Sequence, residues 1–169
     1  MNGGPPVNGV AMVPMRWWHL PAVAALETRI FEDAPWSLEQ FYAELAAPDR
    51  WLRVLMSDGA VAGYVDVAVT RPDSDLMTIA VAPQMRGLGL GRWLLRQAMA
   101  AAASAGAGTM FLEVRSDNPA QGIYLREGFE QLDVRRDYYG PGVAAVVMRR
   151  RLAGAVPAVP AQVAEEVAP

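Results

Sequence analysis

The stretch Ile79-Ala80-Val81-Ala82-Pro83-Gln84-Met85-Arg86-Gly87-Leu88-Gly89-Leu90-Gly91-Arg92-Trp93-Leu94-Leu95 runs from one apolar segment, through a proline and three alternating glycines, into a second apolar segment. The first segment predicts a buried strand that Pro83 ends, and the second predicts a helix starting near Gly89. Glycines let backbone curl around a ligand and approach it closely, while the first N–H groups of a helix lack partners within it. The helix dipole adds partial positive charge at the same place. The junction is therefore suited to an anion, most naturally a phosphate or pyrophosphate. Its donors are the backbone N–H groups of residues 87–92, and the side chains of Arg86 and Arg92 need be no more than solvated charges.

Composition bounds what could own that anion. A chain of 169 residues with 53% hydrophobic and 20% charged residues is that of an ordinary globular domain. The formal net charge of −3 argues against general affinity for nucleic acid or for anionic membranes. Cysteine is absent, so disulfides and thiolate metal sites find no residues, and with His19 the only histidine the sequence argues against a histidine-rich metal site or a Ser-His-Asp triad. The N-terminus carries neither a basic region nor an apolar run, and the longest apolar stretch, from Ala98 to Ala107, is too short to span a bilayer. These features predict a cytoplasmic protein that binds no metal and no membrane; a monomer is expected by default.

Outward from the glycine stretch, the pattern predicts strands over about 10–15, 51–56, 61–69, 76–81, 110–114, 130–138 and 143–149. Helices are predicted from near Leu20, after the N-cap Ser37, over about 89–103, and from Asn118-Pro119 to about Glu127. His19 reads as a cap or surface residue. Residues 1–9, rich in Gly, Pro and Asn, and the Ala/Val/Pro-rich tail 152–169 read as disordered, leaving a domain over 10–151. The order is that of an α/β or α+β domain, a central mixed sheet covered by helices.

At the glycine loop, Arg86-Gly87-Leu88-Gly89-Leu90-Gly91 resembles the Arg/Gln-x-x-Gly-x-Gly/Ala signature of the GNAT acetyltransferases. A Walker loop would need Gly-Lys-Ser/Thr, and a Rossmann loop would normally follow the first strand of its unit, with an acid about 20 residues on. The resemblance implies a mostly antiparallel sheet of seven strands and acetyl-CoA as co-substrate. The strand containing Ile79, Ala80 and Val81 would pair with the pantetheine arm, and the loop would take the pyrophosphate. Ala34-Pro35-Trp36-Ser37, Phe111-Leu112-Glu113-Val114-Arg115, Asn118, Tyr124, Gly128-Phe129 and Arg135-Arg136-Asp137-Tyr138-Tyr139 resemble the RimI branch. That branch acetylates the N-terminal alanine of a small-subunit ribosomal protein.

Acetyl transfer to an amine needs a held donor, a deprotonated amine, stabilised charge on the carbonyl oxygen and a proton for the departing thiolate. Glu113 interrupts an apolar strand. By pattern it is a strand-end acid facing water or pairing with Arg115; by resemblance it is the general base, a role that partial burial would assist. Tyr124 is by pattern a packing residue and by resemblance the general acid, with Asn118 contacting the cofactor. The segment Asn118 to Tyr124 is one residue shorter than the family's usual Asn-x-x-Ala-x-x-Leu-Tyr, although Tyr124 keeps its spacing to Gly128-Phe129. One residue on a helix is about 100° of rotation and 1.5 Å of rise, so the preceding loop must absorb the deletion if both residues keep their places. Trp36, Tyr138 and Tyr139 would border the acceptor. A GNAT enzyme acting on another amine, a lysine side chain or a small molecule, and a catalytically silent acetyl-CoA-binding module are the alternatives.

Overall fold

The computed structural model describes residues 3–153. In chain order its elements are β1 (Val10–Pro14), α1 (Leu20–Ile30), α2 (Leu38–Ala46), β2 (Arg50–Ser57), β3 (Ala60–Thr70), β4 (Asp73–Val81), α3 (Leu90–Ser104), β5 (Thr109–Arg115), α4 (Gln121–Arg126), β6 (Glu130–Arg135) and β7 (Ala145–Arg151). Short 3-10 turns at Trp17–His19 and Pro83–Met85 precede α1 and the glycine loop. The strands form one sheet in the order β1-β2-β3-β4-β5-β7-β6, in which β4 and β5 are the one parallel pair.

Strand alternation divides the interior into two cores. Val65, Val67, Leu76, Met110, Leu112 and Val114 point to one face, where α3 covers them with Leu90, Leu94, Leu95 and Ala98. Leu52, Val54, Tyr64 and Ala80 point to the other, under Leu20, Val23 and Leu26 of α1 and Phe41 of α2. Each of these large side chains, fully buried, contributes about 1.5–3 kcal/mol. Ser37 caps α2 by accepting from the Gln40 N–H at 3.2 Å, and the Gln40 side chain accepts from the Ser37 N–H at 2.7 Å, a reciprocal capping box. His19 likewise serves as a cap, its Nδ1 accepting from the Arg16 N–H at 3.0 Å.

Five boundaries differ from the sequence expectation, each for a local reason. β4 begins at Asp73 rather than after a turn, because Ser74 is buried and its hydroxyl donates to the Thr109 carbonyl at 3.0 Å. α4 begins at Gln121 rather than Asn118, because the Asn118 side chain accepts from the Ala120 N–H at 2.9 Å and holds a non-helical turn. β6 ends at Arg135, before the tyrosines, where Asp137 adopts a φ of 52° and accepts from the Gly142 N–H at 2.6 Å. At the N-terminus, residues 3–9 make contacts that the reading as a disordered extension did not foresee. Val7 packs on the α3-side core, and the Trp93 indole donates to the Gly3 carbonyl at 2.9 Å. Leu152 is buried and its N–H donates to the Gly108 carbonyl at 2.9 Å, so the chain stays attached one residue past β7. The rest of the expected disordered tail, 154–169, lies outside the described residues.

Candidate active site

The site starts from an interruption in the sheet. β4 and β5 pair only through Asp73–Asp75 and Thr109–Phe111. Beyond these residues the strands part, leaving the β5-facing edge of Leu76–Val81 without a ladder partner among the described residues. Backbone donors and acceptors on such an edge must find partners elsewhere, and an extended amide-bearing chain could supply them. Ile79, Ala80 and Val81, the residues expected to meet the pantetheine arm, lie on this edge.

The same strand leads into the anion site. Gly87 and Gly89 have φ values of 77° and 78°, a left-handed backbone that side-chain-bearing residues adopt at a cost. Gly89 is the N-cap of α3 and offers no side chain, so no cap competes for the first helical N–H groups at Leu90, Gly91 and Arg92. Pro83, Gln84, Arg86, Gly87, Leu88 and Gly89 are all exposed, so the loop is open to a ligand. A pyrophosphate fits this donor set. The side chains behave differently from the backbone. Arg86 reaches back towards the Val81 carbonyl at 3.4 Å, while the Arg92 guanidinium is hydrogen-bonded to Glu127.

Glu127 is the centre of a network. Its carboxylate takes Arg92 and, at 2.9 Å, Arg96 from α3, while Arg150 of β7 donates to its backbone carbonyl. Burial alone would raise its pKa, but the hydrogen bonds from Arg96 and Arg92 outweigh burial and hold it below the usual carboxylate range. The network pins the end of α4 to α3 and thereby sets the height of Tyr124. That phenol is 8% exposed, stands edge-on to Phe129 at 5.9 Å, and is pushed up to about 12 by burial. It therefore keeps its proton at neutral pH. Between β5 and α4 the chain makes the Asn118–Ala120 turn before the helix that carries Tyr124 begins at Gln121. Asn118 spends its side-chain oxygen on that turn, so this oxygen is committed within the protein rather than to a cofactor.

Glu113 projects to the other face of β5, away from buried Leu112 and Val114. Its side chain is 36% exposed, and Arg135 Nη1 lies 2.9 Å from its Oε1. The carboxylate is thus only partly buried, and the pairing with Arg115 that the pattern allowed is not formed. Arg115 instead holds Asp33 at 3.1 Å, from the α1–α2 loop, and Asp117 at 3.0 Å. It also lies over the Tyr139 ring at 5.4 Å, and Arg135 lies 5.8 Å from the Tyr138 ring centre. Tyr138 and Tyr139 pack edge to face at 5.0 Å. The β6–β7 turn thus meets the α1–α2 loop through Arg115. Trp36 lies at the base of that loop, its ring against Phe41 at 5.4 Å as part of the α1-side core. Its N–H donates to buried Glu27 at 3.1 Å, and Glu27 also accepts from the Tyr64 hydroxyl. Trp36 therefore anchors the loop from within.

Glu27 is a residue the sequence reading missed, and Arg135, quoted there only within a motif, gains its partner here. A glutamate on the last turn of α1 looks solvated until β3 brings Tyr64 beneath it. Arg135 meets Glu113 only because β7 intervenes: Val147 is in register with Glu113 and Asp133, and Ala145 with Arg115 and Arg135.

A split parallel junction, a side-chain-free helix N-cap, and an acid beside a pair of tyrosines on one flank of the split are the parts of an acyl-transferase site. The family model described as "Acetyltransferase (GNAT) domain" matches residues 21–152, and the chain belongs to that family. It is 37% identical over 134 residues to the N-alpha-acetyltransferase RimI of Mycobacterium tuberculosis, covering 75% of this chain and 83% of that one. It is 34% identical over 122 residues to the [ribosomal protein bS18]-alanine N-acetyltransferase of Salmonella typhimurium, covering 71% and 80%. The crystal structure of the ribosomal-protein-S18-alanine N-acetyltransferase from Escherichia coli superposes with a TM-score of 0.79 at 27% identity, covering 89% of this chain and 98% of that one.

Proposed function

We propose that this acetyltransferase moves an acetyl group from acetyl-CoA to the α-amino group of an N-terminal alanine on a small-subunit ribosomal protein. The observation that carries the reading is the parting of β4 from β5, with the anion loop at its upper end and Glu113 beside it. The relatives named for ribosomal-protein alanine acetylation supply the acceptor class. Acetyl-CoA, when bound, supplies an acetyl group activated as a thioester.

The chain's own residues do the rest. Backbone N–H groups at 89–92 hold the diphosphate, and the free edge of Ile79–Val81 aligns the arm. Glu113 takes a proton from the acceptor ammonium, directly or through one water. Tyr124 Oη, kept protonated by its burial, holds the proton that the leaving sulfur requires. Donor and acceptor thus meet from opposite faces of the sheet. Tyr138 and Tyr139 border the acceptor, and the Asp33–Arg115 pair closes one side of its mouth.

The test is a peptide assay with acetyl-CoA, comparing an alanine-initiated ribosomal peptide with N-blocked peptides bearing lysine. Mass-spectrometric label on the N-terminal alanine is the expected result, and label found on lysine alone rejects it.

A further inference from the structure

We propose that Arg135 is an internal stand-in for the acceptor ammonium, a latch on Glu113 that an incoming amine must displace. The inference rests on the reading of Glu113 as the base. A cationic acceptor that gives its proton to Glu113 must come within hydrogen-bond reach of that carboxylate. In this structure the guanidinium of Arg135 already stands 2.9 Å from Glu113 Oε1. Arg135 engages Oε1 alone, but its positive charge beside the carboxylate repels a second cation approaching either oxygen, so ammonium and guanidinium compete.

The surroundings make the latch releasable. Arg135 is the last residue of β6, a strand exposed along its whole length, and its side chain is 51% exposed. It is held by one ion pair and by the Tyr138 ring, 5.8 Å away. Tyr138 lies in the turn that follows, so the residue bordering the acceptor also steadies the latch. Of the other charges nearby, Arg115 is held by Asp33 and Asp117 and Arg149 by Glu130, while Asp75 on β4 lies close enough to Glu113 for the two carboxylates to repel each other. Exposed pairs of this kind are worth little and are screened by salt. The latch is therefore weak enough for a peptide N-terminus to open. It keeps the base neutralised when no acceptor is present and discriminates against acceptors without a cationic amine.

The experiment measures the peptide KM, the acetyl-CoA KM and kcat for the full chain and for Arg135→Gln and Arg135→Lys, at low and high salt. Loss of an exposed pair should lower the peptide KM of Arg135→Gln about two- to fivefold, with the acetyl-CoA KM unmoved. Arg135→Lys should return most of the difference, and the wild-type to variant KM ratio should shrink towards one as salt rises. In a Glu113→Gln background, Arg135→Gln should leave peptide affinity, read by calorimetry, unchanged. A peptide KM that rises or stays fixed in Arg135→Gln overturns the latch and makes Arg135 a peptide contact or a bystander. Should the wild type acetylate lysine or a small amine instead, the reading of the acceptor falls. The same comparison on that amine still decides the latch, because every such acceptor arrives as an ammonium ion.

Discussion

Replacing Asp66 with asparagine should stabilise the protein at neutral and alkaline pH, and the gain should fade in acid. Asp66 sits on β3, fully buried, and neither carboxylate oxygen has a hydrogen-bond partner among the described residues. Burial raises its pKa first, the Glu44 charge raises it further, and Arg50, itself paired with Glu44, opposes them; the outcome is a value pushed up to about 7 from 3.8. The folded chain therefore binds one proton more than the unfolded chain between about pH 4 and pH 7. Stability at this site is fully present below the unfolded value and is lost as pH rises through the folded one. Roughly three pKa units at ~1.36 kcal/mol each put the penalty above pH 7 on the order of 4 kcal/mol. Asparagine carries no charge, and its amide can donate to the Glu44 carboxylate. It still needs partners, so roughly 2–4 kcal/mol should be recovered. For a domain of this size that is about 5–15 °C in the unfolding midpoint. Thermal unfolding of both proteins at pH 4, 6 and 8 checks this. A variant no more stable than wild type at pH 8, or one whose advantage grows on acidification, refutes the reasoning.

Tyr124→Phe removes the proton held in the buried pocket and should lower turnover by roughly 10²–10⁴ with the fold intact; steady-state rates checked alongside circular dichroism decide it. Glu127→Ala strands Arg92 and Arg96 beside one another, and since both are about half exposed (51% and 55%) the cost should be moderate. We expect roughly 1–3 kcal/mol in urea unfolding at pH 7, shrinking as pH falls far enough to protonate Glu127 in the wild type. Gly89→Ala forces a side chain into a φ of 78°, although the nearest atom, Pro6 Cγ, is 3.8 Å away, so the penalty is conformational rather than steric. It should cost about 1–2 kcal/mol and raise the acetyl-CoA KM, read by initial rates, while the peptide KM holds.

The elements that announce themselves in the sequence do so through local chemistry. The α3 stripe, the Ser37 cap and the glycine loop each sit within a few residues of what causes them. The α4 start was misplaced because an asparagine side chain competes with helix backbone over two residues, a contest that composition cannot settle. The acceptor mouth is a different case. Glu113 and Tyr124 could be picked out as residues, but the partners of Glu113 depend on a strand order in which β7 inserts between β5 and β6. Asp66 was invisible for the same reason: an acid in Val65-Asp66-Val67 reads as solvent-facing alternation until α2 is laid over it.

Mechanically, three residue pairs between β4 and β5 are a weld joining two plates. One plate, β1 to β4, carries the loop; the other, β5 to β7, carries Glu113, Arg135 and, on the turn between its last two strands, both tyrosines. The weld is reinforced at its root, where Ser74 donates to the Thr109 carbonyl and the Gly108 N–H to the Pro72 carbonyl at 2.7 Å. The plates' opening angle, fixed at that root, sets the gauge across which the two substrates must fit. A side chain at the weld far from any reacting atom can therefore alter the rate by a fraction of an ångström at the far end, as a hinge pin governs the gap of a gate.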